Sequence, residues 1–458
     1  MCLKIKKMFD IIGKIRGDKT IWAIVFLLAL ISFLPVYSAS TNLVYVIGKG
    51  TTIGYLFKHF VHVMLGFGII YAIHKTPYHY FKALSIFGIP LVILLLVYTL
   101  FKGTEIGGAN ASRWIQIPFV GVSFQTSTLA FIVLMIYVAR YLAKVSDKEY
   151  TFKESVIELW LPVAAVLILI LPANFSTTAL IFSMVCMLIF IGYYPLKYLG
   201  YVLVMGIAAI MLFVLLAKAF PTNKYFSRVN TWEKRIERFS DDTPNEDDYQ
   251  IEKAKIAIAS GKIYGLGPGK SVQKNFLPQS SSDFIFAIIV EEYGLVGAVG
   301  IIFLYLLLFF RFIINAQKAT TLFGKLLIIG LGFPIIFQAF INMGVAVELL
   351  PVTGQPLPLI SSGGTSIWMT CIAIGIILSV TKKDEEVALD LEEKRKRDEA
   401  LQQIIEAQVS LNEEKEADEN QQKINNMKSS IRESLIEDEN GDVLVNGQNP
   451  MNAVLNKK

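Results

Sequence analysis

The stretch that decides the fold is residues 260–294, SGKIYGLGPGKSVQKNFLPQSSSDFIFAIIVEEYG. It begins as a loop rich in Gly, Ser, Lys and Gln, turns at Leu277 and Pro278, and then enters an apolar run long enough to cross a bilayer. Asp283 stands at the mouth of that run. A carboxylate costs little at the membrane surface but about 2.5–3.5 kcal/mol at the centre of the bilayer. Asp283 therefore needs either solvent or a function at this position.

The composition is that of an integral membrane protein. Of the 458 residues, 54% are hydrophobic and 18% are charged, and the mean hydropathy is +0.52. The net charge of +5 is small and lies at segment ends, which argues for membrane orientation and against nucleic-acid binding. The three cysteines and four histidines show no metal-ligand spacing, so no disulfide and no protein metal cluster are predicted.

We predict an all-α polytopic membrane protein with about ten spanning segments, because about 20 apolar residues cross the hydrocarbon. The segments lie near 20–38, 53–74, 83–101, 124–143, 156–172, 175–194, 198–219, 284–311, 325–347 and 364–381. The basic N-terminus leads into the first of them without a small-residue cleavage site, which is typical of a signal anchor.

The placement of Lys and Arg in the short loops predicts the orientation. Residues 1–19 and the polar tail 382–458 are expected in the cytoplasm, on either side of a membrane domain at 20–381. The large loop 220–283 and the proline-rich loop 348–363 then face outward, which places Asp283 at the outer surface. The composition of the tail predicts a solvated helix that gives way to disorder.

Four stretches of the membrane portion resemble the SEDS family (shape, elongation, division and sporulation), which are polytopic peptidoglycan polymerases. The stretches are 107–115, 249–261, 265–294 and 351–366. They are specific together because their order and loop placement also agree with the family. The compact run from Gly267 to Lys274 is more similar to septal division members than to elongation members. Three positions depart from the family pattern: Asn174 replaces an acid, Ser112 an arginine and Lys262 a glycine.

The resemblance implies polymerisation of lipid II, a lipid-linked disaccharide-pentapeptide. An acceptor sugar hydroxyl would attack an anomeric carbon that carries a lipid diphosphate. Because diphosphate leaves without needing a proton, one carboxylate can suffice where glycoside hydrolases use two. Asp283 is the expected general base, and partial desolvation would raise its basicity.

The leaving diphosphate needs positive charge, which we expect from Arg113, Lys270 and Lys274, with a bound divalent ion such as Mg or Mn able to share the task. Further expected substrate-binding residues are Gly265, Gly267 and Gly269, whose amides would approach an anion as nests do, and Ser282. Expected structural residues near the site are Trp114, Glu291, Glu292, Pro358, Ser361, Gly363 and Gly364. The two glutamates lie inside an apolar segment, where we expect them to hydrogen-bond to loop backbone.

Simpler interpretations of the same residues stay open. Asp283 could cap the helix that begins at Phe284. Arg113 and Trp114 could anchor the chain at the interface, and the two lysines could be solvated loop charges.

Other functions also stay open: an elongation-type polymerase, a lipid II flippase, and a scaffold for a transpeptidase. A flippase must expose its site to both faces, whereas the polar motifs here are confined to outer loops. The resemblance implies that the chain acts with a single-pass transpeptidase, a class B penicillin-binding protein, and with other division proteins. It also implies a location in the cytoplasmic (inner) membrane at the division septum, with both termini in the cytoplasm.

Overall fold

The computed structural model describes residues 16–47, 50–103, 114–116, 123–146, 148, 150–219, 246–277, 280–437 and 443–445. The chain forms two compact units, Met1–Glu385 and Glu386–Lys458. Helices dominate the described residues, and the strands found among them are three residues long. The predicted all-α class is therefore confirmed.

The helices occur at every position where the sequence predicts a spanning segment. In chain order they are α1 Lys19–Ile47, α2 Thr52–Lys75, α3 Tyr80–Lys102, α4 Thr126–Val145, α5 Phe152–Ser155, α6 Leu161–Ile170, α7 Phe175–Ile191, α8 Leu196–Ala219, α9 Glu246–Gly261, α10 Ile285–Lys318, α11 Leu322–Ala346 and α12 Thr365–Ser434.

Eight of these helices are long and apolar enough to span a bilayer, counted over the described residues. The other two predicted segments are more broken. The segment near 156–172 is α5 joined to α6 through a π-helical turn, Val156–Trp160, and Pro162 lies in the first turn of α6. The segment near 175–194 is α7, which has 17 residues. It begins at Asn174, whose side chain accepts a 3.3 Å hydrogen bond from the Thr177 amide. The Asn that replaces the family's acid is thus a helix N-cap.

A buried polar cluster joins the ends of three segments that the charge pattern places on the cytoplasmic side. The Asp18 carboxylate accepts hydrogen bonds from the Thr20 amide at 2.8 Å, from Arg311 Nε at 3.0 Å and from Asn315 Nδ2 at 2.5 Å. The Asp18 amide donates to Thr381 Oγ1 at 3.2 Å. The start of α1, the far end of α10 and the inner part of α12 therefore lie at the same end of the bundle, as the predicted orientation requires.

The large loop 220–283, which is expected to face outward, contains a helix that sequence reasoning did not predict. Helix α9 buries the small side chains of Ala254 and Ala257 against Phe284, Ala287 and Val345. Small residues permit close approach of the helices. The described second part of the loop, 246–277, is thus packed on the start of α10, whereas its charged first part, 220–245, lies outside the described residues.

Two short antiparallel strands, β1 Trp114–Gln116 and β2 Ser123–Gln125, pair before α4, with Trp114 opposite Gln125. The last helix, α12, continues as far as Ser434. An antiparallel pair that was not predicted follows, β3 Leu435–Glu437 with β4 Val443–Val445. Residues 446–458, which belong to the part of the tail where disorder is predicted, lie outside the described residues.

Candidate active site

The turn that precedes α10 is hydrogen-bonded to the proline-rich loop 348–363, the last loop expected on the outer side and called here the last outer loop. The Ser361 hydroxyl donates to the Ser282 carbonyl oxygen at 2.6 Å, and the Ser362 amide donates to the Ser281 carbonyl oxygen at 2.9 Å. Ser361 Oγ also accepts from the Leu357 amide at 2.7 Å. The proline-rich loop therefore packs on the turn that precedes α10.

Asn342, near the outer end of α11, fixes the main chain at Asp283. Its Nδ2 donates to the Asp283 carbonyl oxygen at 2.7 Å and to the Gln355 carbonyl oxygen at 2.8 Å. An amide nitrogen carries two hydrogens, so both are used here. Asn342 is 1% exposed, and a buried amide that satisfies two carbonyls holds both backbone segments in place.

The Asp283 side chain is half-buried and lies against the last outer loop. A Cβ built on Gly354 would lie 3.5 Å from Asp283 Oδ2. Gly354 has a φ of +66°, a conformation that favours glycine. The N-cap residue of α10 is Phe284 and not Asp283, so the carboxylate stands one residue before the capping position.

Gln355 extends the site to the start of α7. Its Nε2 donates to Thr177 Oγ1 at 3.0 Å, one turn from Asn174. Asn174, which replaces the acid of the family motif, therefore lies near the same loop that contacts Asp283.

The glycine-rich loop does not offer its amides as an anion nest at two of the three expected positions. The Gly265 amide donates to the Gly261 carbonyl oxygen at 2.7 Å, and the Gly267 amide donates to that of Glu292 at 2.9 Å. The Gly265 bond continues the last turn of α9, whereas the Gly267 bond is possible because α10 breaks at Gly294, where φ is 65° and ψ is −163°. Across this break Leu295 N–H donates to the Lys262 carbonyl oxygen at 2.9 Å, so helix and loop exchange hydrogen bonds.

The glycines are needed instead for close packing. A Cβ on Gly265 would lie 2.2 Å from the Glu292 carbonyl oxygen, and a Cβ on Gly294 would lie 2.3 Å from that of Ile263. Gly269 differs, because a Cβ there would meet no atom within 4 Å. Its carbonyl oxygen accepts from Lys274 Nζ at 2.7 Å.

Glu291 and Glu292 are 1% and 0% exposed and bind the loop backbone, the role that the sequence predicts for them. The Glu291 carboxylate accepts from the Val272 amide at 2.9 Å and from the Gln273 amide at 3.3 Å, at the start of the 3₁₀ turn Gln273–Asn275. The Glu292 carboxylate accepts from the Ser271 amide at 3.3 Å and from the Ser38 hydroxyl. Amides that converge on a buried carboxylate keep it hydrogen-bonded.

The expected cations are placed differently from one another. Lys270 is exposed. Lys274 is half-buried, and its ammonium also donates to Ser38 Oγ at 3.1 Å. Arg113 lies outside the described residues, while its neighbour Trp114 is half-buried in β1.

The remaining predicted residues shape the last outer loop. The Tyr305 hydroxyl donates to the Pro358 carbonyl oxygen. The Gly363 amide donates to the Ser361 carbonyl oxygen at 2.7 Å, and Gly364, with a φ of +46°, packs beside His62.

Within the described ranges no three His, Cys, Asp or Glu side chains come together as metal ligands. A Mg or Mn ion stays a prediction. It would depend on oxygens from the substrate diphosphate together with few protein carboxylates, the way Mg is commonly held in phosphate sites.

Sequence reasoning missed the residues that hold the site together: Ser38, Ser271, Asn342, Gly354 and Gln355. The available signal was a polar side chain inside a membrane segment, which is expensive without a role. That signal marks Ser38 and Asn342, but it does not reveal their partners.

Comparison with known proteins agrees with this architecture. A family model for FtsW, RodA and SpoVE, described as a cell cycle protein, matches residues 18–386. A probable peptidoglycan glycosyltransferase FtsW of Hydrogenovibrio crunogenus is 32% identical over 346 residues, which are 73% of this chain and 84% of that protein. A protein of the same name from Geobacter sulfurreducens is 31% identical over 379 residues, which are 80% of this chain and 96% of that protein.

Two solved structures share the fold. A chain of a peptidoglycan synthase complex, described for its structural coordination of polymerization and crosslinking, has a TM-score of 0.60 and 24% identity, covering 80% of this chain and 98% of that one. The rod shape determining protein RodA of Thermus thermophilus has a TM-score of 0.57 and 22% identity, covering 80% of this chain and 97% of that one.

Proposed function

The chain belongs to the FtsW, RodA and SpoVE family, the SEDS family, and on that premise we propose that it is a peptidoglycan glycosyltransferase of the septal type, with Asp283 as its general base. The enzyme polymerises lipid II at the outer face of the cytoplasmic membrane. The relatives that are 31–32% identical bear the septal name, whereas RodA, at 22% identity, supports the fold alone. The septal type is therefore preferred to the elongation type.

In the proposed reaction the acceptor hydroxyl of one sugar attacks the anomeric carbon of another. A carbon–oxygen bond forms between the two sugars, and the bond between the anomeric carbon and the lipid diphosphate breaks. The hydroxyl proton goes to the Asp283 carboxylate, and the diphosphate leaves with the bonding electrons. A carboxylate can act as a base here because it takes the proton as the new bond forms.

The observation that carries this proposal is the clamped main chain of Asp283. The Asn342 amide and the Ser361 hydroxyl hold the carbonyls of Asp283 and Ser282 at 2.7 and 2.6 Å, while the Asp283 carboxyl itself stays half-buried beside Gly354. A rigid backbone with a partly accessible carboxylate is what a positioned base requires. A helix cap or a solvated surface acid would need no such support from two other outer segments.

We extend the proposal to the partner and the location. The related peptidoglycan synthase complex couples polymerization to crosslinking. By analogy, this chain works with a class B penicillin-binding protein at the outer ends of α10 and α11, together with other divisome proteins at the septum. Both termini lie in the cytoplasm.

The test is glycan synthesis from purified lipid II by the detergent-solubilised complex with its transpeptidase, wild type against Asp283→Asn. We expect the variant to lose activity by about 100-fold or more, since general bases contribute on the order of 10²–10⁴. Glu348→Gln is the matched control, because Glu348 is an outer-loop acid in an exposed ion pair with Lys255 and should keep wild-type activity.

Full polymerisation by Asp283→Asn would overturn the assignment of the base. A wild-type complex that moves lipid II across vesicles but makes no glycan in detergent would favour the flippase instead. A wild-type level of cell division by Asp283→Ala would favour the scaffold.

A further inference from the structure

The ammonium of Lys274 is held by a side chain of the first membrane helix. Lys274 Nζ donates to the Gly269 carbonyl oxygen at 2.7 Å and to Ser38 Oγ at 3.1 Å. Ser38 lies in α1 and precedes Lys274 by 236 positions. An ammonium has three N–H donors, so one N–H is left without a partner among the described residues.

The direction of the hydrogen bonds through Ser38 is fixed by its neighbours. A lysine ammonium can only donate and an ionised carboxylate can only accept. Ser38 therefore donates its single hydroxyl proton to the Glu292 carboxylate, and the hydroxyl oxygen accepts a hydrogen bond from the Lys274 ammonium. The hydrogen bonds thus run from Lys274 to Ser38 and from Ser38 to Glu292. Ser38 is 1% exposed and Glu292 is 0% exposed.

The hydroxyl keeps the two charges from forming a direct ion pair. One carboxylate oxygen of Glu292 accepts from Ser38 and from the Ser271 amide, and the other, Oε2, is buried without a partner among the described residues. A direct ion pair would direct more of the lysine N–H groups at the carboxylate. The bridged arrangement leaves one N–H and the charge of Lys274 for an outside anion.

Holding the lysine in advance has an energetic purpose. A free lysine side chain gives up rotamer entropy when it is immobilised. If the protein has already fixed it, the ligand does not bear that cost on binding. Ser40 shows that the arrangement is specific to Ser38, because among the described residues the equally buried Ser40 hydroxyl has one partner, the Val36 carbonyl oxygen of its own helix.

We propose that Ser38, backed by the buried carboxylate of Glu292, is a positioning residue that fixes Lys274 for the diphosphate of the lipid-linked donor. This inference rests on the proposed function for the identity of the ligand. It gives the first membrane helix a part in the donor site, in addition to its part in the fold.

The experiment measures binding of a polyprenyl diphosphate to the complex in detergent, with inorganic diphosphate as a second probe. Ser38→Ala should weaken binding of both probes by about tenfold, the equivalent of one hydrogen bond to a charged group. Ser38→Thr should restore most of the binding because it keeps the hydroxyl, and Ser40→Ala should bind as the wild type does. In glycan synthesis, Ser38→Ala should raise KM for lipid II more than it lowers kcat.

A double variant tests whether Ser38 acts through Lys274. If it does, Ser38→Ala should add little to the loss already caused by Lys274→Ala. Wild-type affinity in Ser38→Ala, no restoration by Ser38→Thr, or full additivity with Lys274→Ala would each overturn the inference. A complex that binds diphosphate in a Ser38-dependent way but makes no glycan would refute the proposed function and leave this site standing.

Discussion

Asn342 Nδ2 lies 2.7 Å from the main-chain carbonyl oxygen of Asp283, although the two residues are 59 positions apart in the chain. The same nitrogen lies 2.8 Å from the carbonyl oxygen of Gln355. One buried amide thus connects the start of α10, the outer end of α11 and the last outer loop. Any catalytic part played by Asp283 depends on this connection.

Asn342→Ala should lower kcat by about 10- to 100-fold with a smaller change in KM, because small displacements of a catalytic group cost about that much. Two hydrogen bonds are lost, so the free energy of unfolding should also fall by about 1–3 kcal/mol. Steady-state glycan synthesis and thermal unfolding in detergent measure both. The control is Asn315→Ala, which removes a buried amide at the opposite end of the bundle and should lower stability with little effect on kcat. Equal kcat losses in both variants would refute a specific role for Asn342.

Ser361→Ala removes the hydroxyl that bridges the Leu357 amide and the Ser282 carbonyl. We expect glycan synthesis to fall by about tenfold, since the turn before Asp283 loses one of the hydrogen bonds that hold it in place. Ser379→Ala is the matched control, because this buried serine lies in α12, the helix that follows Ser361, and donates to the Thr76 carbonyl oxygen. Activity in Ser361→Ala equal to that of the control would contradict the prediction.

Gly265→Ala and Gly269→Ala separate close packing from backbone conformation. Both glycines have a positive φ, which costs alanine about 1–2 kcal/mol. Only at Gly265 would the new Cβ meet a backbone oxygen, at 2.2 Å. Gly265→Ala should therefore lower the free energy of unfolding by about 2–5 kcal/mol, clearly more than Gly269→Ala. Thermal unfolding of the two variants side by side tests this. Similar midpoints would contradict the prediction, because the loop would then accommodate the Cβ at Gly265 without a large loss of stability.

The acid stability of the protein should depend on Asp18. Burial acts to raise the pKa of this carboxyl, but hydrogen bonds from Asn315 and Arg311, a further one from the Ile21 amide and the charge of Arg311 outweigh it and hold the pKa below its ordinary value. A carboxyl whose pKa is lower when folded contributes stability above its unfolded pKa of about 4, and the contribution is lost as the pH falls through the folded pKa.

Asp18→Asn should consequently lower the free energy of unfolding at neutral pH by about 1–3 kcal/mol. The gap to the wild type should narrow as the pH falls below about 4. Thermal midpoints between neutral pH and about pH 3 measure this. A gap that does not change with pH would show that the charge of Asp18 is not what stabilises the cluster.

Hydropathy was enough to place the membrane segments, because the burial of about 20 apolar residues is a property of each segment alone. The position of Asp283 before the eighth segment followed from the same pattern. The family resemblance added the chemistry expected of it.

The contacts that build the site could not be read in this way. The Gly267 amide is occupied because α10 breaks at Gly294, and a single glycine in an apolar run does not by itself predict a break. The Gly265 amide is occupied by the Gly261 carbonyl oxygen at the end of α9, a helix that was not predicted. Helix α9 was missed because its buried face consists of alanines, which give a weak apolar pattern. Ser38 and Asn342 are single polar residues whose partners lie far along the chain.

The clamp on Ser282 and Asp283 also sets an order for biosynthesis. Ser361, which holds Ser282, is translated 79 positions after it. The ribosome must therefore synthesise α11 and the last outer loop before Ser361 can hydrogen-bond to Ser282, the residue next to the aspartate. Until Ser361 has been synthesised, the backbone before the aspartate lacks this hydrogen bond, so the site is assembled only late in translation.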